Sequence, residues 1–407
     1  MRIHAFTGTR FSQESQAGPL AGPPYDQIDT TLRDQLHQQP HHFAHLIRPV
    51  GGNNPHREAA RLHAHWLSEG IIQRDDEPSL YPYEIVFADG QRRLGLTALV
   101  GLEPLTSPVI RPHEATVAKT VDERLSLLRE TRIDLEPILL LADDDGQANR
   151  LLEDDLERLA PLVEHQDSDG HLHRLFRFAD GDRISEYQEL LQPRHGLIAD
   201  GHHRYTVASR YAQEMAGEAS AAAGTKLAVI TSLASEGLSI DPIHRQLRLA
   251  VDIEGASHLA SSHHSVSGDS GRAIAQTVAE VTQPAIGVSV GSRTEIWSFD
   301  PAAPPETLPA HLHHLGVGWL HGVLLPGLDL APAAATDGTV VYRSDPDRLY
   351  SELLDGRANV GFWLPPMSGQ DFARAMAGGE ILPPKSTRFL PKVASGLVWA
   401  DHACHLL

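Results

Sequence analysis

The chain has 407 residues, and its 34 Lys and Arg against 53 Asp and Glu give a formal net charge of −19 at pH 7. Hydrophobic residues make up 41% and charged residues 21%, which is typical of globular proteins and excludes wholesale disorder. So acidic a chain repels phosphate backbones, and we expect neither DNA nor RNA as a partner. No apolar run approaches the roughly 18 residues of a membrane-spanning helix, so we expect no membrane insertion. The single cysteine, Cys404, cannot form an internal disulfide, which fits a cytoplasmic location.

The first 250 residues predict alternating helices and strands. Asp89-Gly90 between two alternating apolar runs is a hairpin signal, and Val121, Leu125 and Leu128 recur at helical spacing. We predict helices over about 30–38, 55–67, 122–132, 150–160, 185–191 and 205–215. We predict strands over 43–47, 83–88, 93–100, 137–141, 171–178, 195–199 and 227–233.

From about residue 252 the composition changes, because Ser, Gly and His cluster over 257–271. Residues 285–290 and 294–299 predict a second hairpin. Residues 340–376 then predict the order strand, helix, strand, helix. We therefore expect a mixed α/β protein with a domain over 1–250 and a C-terminal α/β domain over 251–407.

The strongest motif is Asp200-Gly201-His202-His203-Arg204, at a predicted strand-to-helix turn. The N–H groups and the positive dipole end at a helix start favour an anion, and Arg204 offers a two-pronged donor for phosphate. His202 and His203 add donors or a proton acceptor, and we expect them to become protonated near the reference pKa of about 6.5. The alternative is a helix cap with solvated charges.

A second motif is Pro383-Pro384-Lys385-Ser386-Thr387, followed by Pro391-Lys392. Only four of the 34 basic residues are lysines, and two of them, Lys385 and Lys392, lie in this stretch. Stiff prolines with ammonium and hydroxyl donors suit a phosphate oxygen or a carboxylate, although the glycine frame of a P-loop is missing. The alternative is a basic loop that pairs with the acidic surface.

A third motif is Arg111-Pro112-His113-Glu114-Ala115-Thr116, with Arg124 in the helix that follows. His113 and Glu114 supply a candidate general base and a metal-binding carboxylate. Val117 stands where a zinc protease motif needs its second histidine, so that chemistry is unsupported. Further candidate contacts for a substrate are Tyr25, Asp26, His244 and Arg245.

With these motifs in view, the chain resembles a bacterial and archaeal family catalogued only as a domain of unknown function, DUF1015. The resemblance rests on five ordered motifs that span nearly the whole chain. They are Pro24-Tyr25-Asp26, His113-Glu114-x-Thr116, Asp200 to Tyr205, Pro242-x-His244-Arg245, and Pro383 to Thr387 with Pro391-Lys392. Arg388 and Gln39 depart from the family pattern, away from the proposed chemistry.

The turn at 200–204 is also similar to the Gly-x-x-Arg turn of the ParB/sulfiredoxin superfamily, over about 30 residues. That superfamily includes nucleotide-using partition proteins, sulfiredoxin and free-serine kinases. The resemblance implies a ParB-like core with insertions. It implies nucleotide or phosphate binding more than a particular reaction. We also expect the C-terminal part to fold back on this core so that Pro383 to Lys392 reaches the turn.

Taken together, the motifs and the resemblance predict a phosphotransfer enzyme acting on a small hydroxylated metabolite with ATP or ADP as donor. The resemblance alone implies serine or a relative as that metabolite. We expect the catalytic residues to be Glu114, His113, Asp200, His202 and His203, and Mg²⁺ to bind Asp200 or Glu114. We expect phosphate contacts from Gly201, His202, His203, Arg204, Lys385, Ser386 and Thr387. We expect substrate contacts from Tyr25, Asp26, Arg124, His244, Arg245 and Lys392.

Two other functions stay open. One is a phosphatase of phosphoserine or a similar ester, and the other is a nucleotide-binding regulator without turnover. The expected partners are a small phosphorylated ligand or an amino acid, and a homodimer also stays open.

Overall fold

The computed structural model describes residues 1–12, 18–114, 116, 118–216, 221–335 and 337–407. The predicted fold class is confirmed, since these residues form a mixed α/β protein with several sheets. They divide into unit 1, Met1–Leu238 with Pro391–Leu407, and unit 2, Ser239–Leu390. The domain division 1–250 and 251–407 stays a prediction, because compactness alone does not define a part that folds by itself. The ParB-like core also stays a prediction.

The strands number twenty-one in the described residues. They are β1 (Ile3–His4), β2 (Thr9–Phe11), β3 (Ile72–Arg74), β4 (Tyr81–Val86), β5 (Arg92–Gly101), β6 (Ile110–Arg111), β7 (Ile133–Asp134), β8 (Ile138–Ala142), β9 (Val163–Gln166), β10 (Leu172–Leu175), β11 (Gly196–Asp200), β12 (Thr225–Ser232), β13 (Ser239–Asp241), β14 (His244–Leu247), β15 (Ser262–Val266), β16 (Ala285–Val290), β17 (Arg293–Ser298), β18 (Val340–Arg343), β19 (Val360–Trp363), β20 (Arg388–Leu390) and β21 (Ala400–Asp401).

The helices are mostly short. They are α1 (Thr30–Leu36), α2 (Ala44–Ile47), α3 (Pro55–Ser68), α4 (Ala118–Thr131), α5 (Gln147–Leu156), α6 (Gly181–Leu191), α7 (His202–Glu214), α8 (Ile253–Ala256), α9 (Gly271–Ala279), α10 (Gly316–Trp319), α11 (Leu325–Gly327), α12 (Pro346–Leu354) and α13 (Gly369–Met376). Single turns of 3₁₀ helix lie at Tyr25–Gln27, Ala221–Gly224, Ser257–Leu259, Ala310–Leu312 and Pro332–Ala335, and a π-helical turn lies at Leu320–Leu324.

Unit 1 is built on a nine-stranded sheet in the order β6-β11-β8-β12-β5-β4-β10-β9, with β1 paired to β5. All residues of β8 are buried, which is the pattern of a strand covered on both faces. Strand β11 runs parallel to β6 and antiparallel to β8. Because β6 and β11 run parallel, the residues that follow each of them lie at the same edge of the sheet.

The core of unit 1 packs helices against this sheet. Ile138 and Leu140 of β8 cluster with Ile198 of β11 and with Tyr205 of α7. On the far side of α7, Val207 and Tyr211 pack with Val121 and Leu125 of α4 and fix the direction of the helix. The start of α7 is therefore held by packing on both of its faces.

Unit 2 contains a six-stranded sheet in the order β15-β17-β16-β19-β14-β18. The hairpin predicted near 285–299 is β16 with β17, and the predicted order strand, helix, strand, helix is β18, α12, β19, α13. Strands β18 and β19 both run antiparallel to β14, which lies between them.

One predicted strand is wrong, because residues 44–47 form helix α2 instead. A short apolar run fits either a buried strand or a buried helical turn, and periodicity does not separate the two. Here Ala44, Leu46 and Ile47 are buried, while the ring of His45 contacts the carbonyl of Gln39, six residues earlier in the chain.

In the part of the chain that the structure describes, no helix is both long and apolar enough to cross a bilayer.

Candidate functional site

The turn after β11 has the predicted strand–glycine–helix form. Gly201 has φ 93°, in the left-handed region, and α7 begins at His202. A Cβ at Gly201 would lie 2.6 Å from Cγ2 of Ile138, so both the backbone and the space require glycine. As the N-cap residue, Gly201 makes no side-chain cap hydrogen bond, whereas Asp180 caps α6 with its carboxylate. The cap position of α7 thus carries no side-chain acceptor of its own.

Asp200 lies between two cations. One carboxylate oxygen accepts a hydrogen bond from Nη2 of Arg204 at 2.6 Å, and the other accepts from Nζ of Lys392. Burial alone raises the pKa of Asp200, but Lys392 and Arg204 outweigh it and hold the pKa well below its usual range. Asp200 is therefore a fixed carboxylate rather than a proton acceptor.

Arg204 is buried, with 9% of its surface exposed, and its terminal nitrogens bond to protein. Nη2 donates to Asp200 and Nη1 donates to the carbonyl of Pro137. Burial lowers the pKa of Arg204, but Asp200 and Glu136 raise it by more, so the guanidinium stays charged. In this conformation Arg204 joins the turn to the segment before β8.

His113 and Glu114 lie beside this turn. The pairing of β6 with β11 sets Ile110 opposite Gly196 and carries the chain after β6 to the end of β11. The backbone N–H of His113 donates to Nε2 of His202 at 3.2 Å, and the two rings are 4.4 Å apart and nearly perpendicular. An oxygen of Glu114 lies 4.0 Å from Nε2 of His113. Two motifs almost 90 residues apart thus form one cluster.

Burial changes the expected titration of the two imidazoles. It lowers the pKa of His113 to about 4, and burial together with His113 lowers the pKa of His202 well below its usual range. The expectation that the histidines of this turn become protonated near pH 6.5 is therefore wrong for His202. Both imidazoles are neutral at pH 7. His203, the next residue of α7, is partly exposed.

Tyr25, Asp26 and Arg124 lie near the same buried charges. The backbone N–H of Tyr25 donates to Glu136 at 2.9 Å, and Cζ of Arg124 lies 4.5 Å from the centre of the Tyr25 ring. Burial raises the pKa of Tyr25 to about 12, so its phenol stays protonated. Asp26 contributes to the electrostatic environment of Arg204 and Glu136.

Sequence reasoning missed two buried residues of this region, Glu136 and Lys226. Glu136 accepts hydrogen bonds from the backbone of Tyr25 and from the hydroxyl of Ser395 at 3.1 Å. Nζ of Lys226 donates to Asp134 at 2.5 Å and to the carbonyl of Glu136 at 2.7 Å. The scarcity of lysine was the available signal for Lys226, because a lysine kept among arginines suggests a role that needs a compact charge.

The remaining predicted contacts lie in unit 2. Arg245 is fully buried and donates to the carbonyl of Pro384 at 3.1 Å and to that of Lys385 at 2.9 Å. The hydroxyl of Ser386 donates to the carbonyl of Pro383, and Thr387 follows in the same loop. His244 accepts from the backbone of Leu364 at 3.1 Å, and burial lowers its pKa to about 4. The two motifs Pro242-x-His244-Arg245 and Pro383 to Thr387 therefore meet inside unit 2.

Neither of the two expected Mg²⁺ ligands, Asp200 and Glu114, has surroundings that suit Mg²⁺. Both oxygens of Asp200 already accept from cations, and the charges of Arg204 and Lys392 would repel a metal ion at the same carboxylate. Glu114 lies among imidazole nitrogens, whereas Mg²⁺ prefers oxygen ligands and several waters. The residues present do not form a built Mg²⁺ site.

The chain matches the model of a known protein family. The family model of DUF1015, described as a protein of unknown function, matches residues 3–293, and the chain belongs to that family. None of the curated proteins matches the chain in sequence.

Solved structures show only remote likeness. A conserved hypothetical protein from Pyrococcus furiosus has 15% identity and a TM-score of 0.34, covering 71% of this chain and 92% of that one. A free serine kinase in complex with AMP has 12% identity and a TM-score of 0.36, covering 71% and 89%. SbnI with a C-terminal truncation, from Staphylococcus aureus, has 13% identity and a TM-score of 0.38, covering 73% and 84%.

The close packing at Gly201 gives a stability prediction. Gly201→Ala places a methyl group against Ile138 in a backbone conformation that alanine disfavours, and we expect the free energy of unfolding to fall by about 2–5 kcal/mol. Gly90→Ala is the matched control, since Gly90 has φ 88° with open space around it, and we expect a loss of only about 1–2 kcal/mol. Urea unfolding measures both, and equal losses would contradict the packing argument.

The lowered pKa of His113 gives a pH prediction. The unfolded chain protonates this residue from about pH 6.5 downward, while the folded chain does so only near the pKa of about 4. Acid therefore favours unfolding between pH 6.5 and 4, and the contribution of His113 to this loss is about 3 kcal/mol.

The variant His113→Asn keeps a donor for the carbonyl of Ile198 without the titrating ring. We expect its free energy of unfolding to depend less steeply on pH in that window than that of the parent. Parallel slopes in the two proteins, measured by urea unfolding at each pH, would contradict the buried neutral imidazole.

Proposed function

We propose that this DUF1015 member is a phosphotransfer enzyme that moves a phosphoryl group from ATP or ADP to the hydroxyl of a small metabolite, free serine or a related compound. The observation that carries the proposal is the turn Asp200 to Arg204, where α7 begins at a glycine and His113 and Glu114 lie alongside. Phosphoryl transfer depends mostly on positioning and on neutralising charge, and this cluster supplies groups for both.

In the proposed reaction the phosphates bind at the start of α7, where Gly201 lets a ligand approach the backbone closely. His202 and His203 lie in the first turn of that helix and are proposed phosphate contacts. Lys392 supplies an ammonium at the same turn, held in place by Asp200. The positive end of the helix and this ammonium together favour the negative charge of the transferring group.

Glu114 is the proposed proton acceptor. The hydroxyl oxygen of the metabolite forms a new bond to the terminal phosphorus of the nucleotide, and the bond from that phosphorus to the leaving phosphate oxygen breaks. The hydroxyl proton passes to the carboxylate of Glu114. The side chain of Glu114 is 21% exposed, which gives it access to a bound substrate, whereas that of His113 is 1% exposed.

Several further residues are proposed to contact the phosphate or the metabolite, with no specific step of the reaction assigned to them. Tyr25, Asp26 and Arg124 border the buried charges behind the turn and would meet the metabolite. Lys385, Ser386 and Thr387 are proposed phosphate contacts, and His244 and Arg245 proposed substrate contacts. These five residues all lie in unit 2. Their grouping is supported by Arg245, which donates hydrogen bonds to the carbonyls of Pro384 and Lys385.

A phosphatase that uses His202 as nucleophile is less well supported. Nε2 of His202 accepts a hydrogen bond from the backbone of His113, so its lone pair is already engaged. Incubation of phosphoserine without nucleotide separates the two reactions, because a phosphatase releases inorganic phosphate there and a kinase does not. Binding of nucleotide with no turnover in either assay would instead indicate a regulatory protein.

Removal of the proposed base tests the mechanism. Glu114→Gln keeps the shape but loses the proton acceptor, and we expect turnover with serine and ATP or ADP to fall roughly 10²-fold with nucleotide affinity largely kept. Glu214→Gln, on the exposed end of α7, is the matched control and keeps full turnover. ³¹P NMR follows the transfer directly. Near-normal turnover in Glu114→Gln would remove Glu114 from the mechanism.

Arg204 gives a binding prediction. Arg204→Lys keeps the charge, but one ammonium does not replace the separate bonds of the guanidinium to Asp200 and Pro137, so we expect weaker binding of nucleotide and phosphoserine. Arg204→Ala weakens binding further, by about 1.5–3 kcal/mol. Arg210→Ala, which removes an exposed arginine of the same helix, leaves binding unchanged.

Titration calorimetry on all three variants makes this comparison, with circular dichroism to show that each is folded. Parental affinity in folded Arg204→Ala would make the turn a purely structural helix start.

A further inference from the structure

His113, Glu114 and His202 together have the composition of a metal site. Each offers one ligand atom, and these three atoms all lie within 4.8 Å of one another. The two histidines are buried and Glu114 is partly exposed, so the cluster is closed on the protein side and accessible at its carboxylate. It draws its ligands from two separate elements, the chain after β6 and the first turn of α7.

The ring of His113 is oriented in the way that metal-binding histidines usually are. Its Nδ1 lies 2.6 Å from the carbonyl oxygen of Ile198, which accepts a hydrogen bond from that nitrogen. This bond holds the ring proton on Nδ1, so that Nε2, the atom facing Glu114, carries a lone pair. A backbone carbonyl on the second ring nitrogen both fixes the tautomer and strengthens the ligand.

His202 has to give up one contact to ligate an ion. Its Nε2 accepts the backbone N–H of His113 at 3.2 Å, a long hydrogen bond. That bond is lost whichever nitrogen binds, because ligation at Nδ1 would move the ring proton to Nε2. The cost is one hydrogen bond between neutral groups, which is small beside a metal–imidazole bond.

The donor set selects the kind of ion. Two imidazole nitrogens and one carboxylate suit Zn²⁺, Co²⁺, Mn²⁺ or Fe²⁺, whereas Mg²⁺ prefers oxygen ligands. Three protein ligands leave at least one coordination position open, which is the pattern of catalytic rather than structural metal sites.

We propose that His113, Glu114 and His202 bind a single transition-metal ion beside the start of α7. The site would take a hydroxyl or phosphate oxygen as its fourth ligand. This inference stands on the three residues themselves and goes beyond the proposed phosphoryl transfer, which does not require it. A second described group that could hold a metal ion, Asp167, Asp169 and His171, lies in the turn between β9 and β10 and serves as an internal control.

Cobalt is the probe that tests the site. The full chain, stripped with a chelator, is titrated with Co²⁺ while visible absorbance is recorded, because Co²⁺ bound by nitrogen and carboxylate ligands gives ligand-field bands. We expect about one equivalent to bind, Zn²⁺ to displace it, and a large excess of Mg²⁺ to leave the bands unchanged. Absence of the bands would overturn the proposal.

Two variants assign the ligands. Loss of a residue that only hydrogen-bonds to a metal ligand typically weakens metal binding 10–100-fold. We expect Glu114→Gln and His202→Gln, which remove ligands themselves, each to weaken Co²⁺ binding by at least that factor. His171→Gln removes the histidine of the control group and leaves Co²⁺ binding at the parental level. Parental Co²⁺ affinity in both ligand variants would overturn the proposal, whatever the result for His171→Gln. Glu114→Gln is the decisive variant if His202→Gln does not fold, since Glu114 is the most exposed of the three ligands.

The metal site and the proposed phosphoryl transfer can be refuted independently of each other. Co²⁺ bands that depend on Glu114 in a protein that never phosphorylates serine would leave the metal site standing and remove the phosphotransferase. Phosphoryl transfer supported by Mg²⁺ in a protein that binds no Co²⁺ would do the reverse.

Discussion

The partly buried carboxylate of Asp200, held by Arg204 and Lys392, is the interaction on which the candidate site depends. A buried ion pair contributes little net stability, but removal of one partner leaves an uncompensated charge and costs about 3–5 kcal/mol. Asp200 ends β11, Arg204 lies one turn into α7, and Lys392 comes from the C-terminal segment. The shape of the turn and the position of its ammonium group are therefore coupled.

The C-terminal segment of unit 1 is tied down around Lys392 by several contacts. Arg93 donates to the carbonyl of Pro391 at 2.6 Å, and the hydroxyl of Tyr83 accepts the backbone N–H of Ala394 at 3.1 Å. Ser395 bonds to Glu136, which in turn accepts from the backbone of Tyr25. Segments distant in sequence thus reach the same buried charges, and a change in any of them would alter the electrostatic field at the start of α7.

The sequence predicted the local parts of this site and not its long-range parts. A strand, a glycine and a helix start are local signals, so the turn at Gly201 was predictable. The nearness of His113 to His202 depends on the parallel pairing of β6 with β11, which no local pattern reports. Glu136 and Lys226 were missed for a related reason, since their burial depends on packing against distant elements. Helix α2 was mistaken for a strand because a run of four or five apolar residues carries too little periodicity.

The central claim is that an anion binds at the first residues of α7, and amide NMR tests it most directly. In a uniformly ¹⁵N-labelled sample titrated with ADP, the account predicts that the backbone amides of Gly201, His202 and His203 shift most. The amides at the start of α6, capped by Asp180, should stay in place. Unchanged amides at 201–203 in a sample that binds ADP elsewhere would contradict the account.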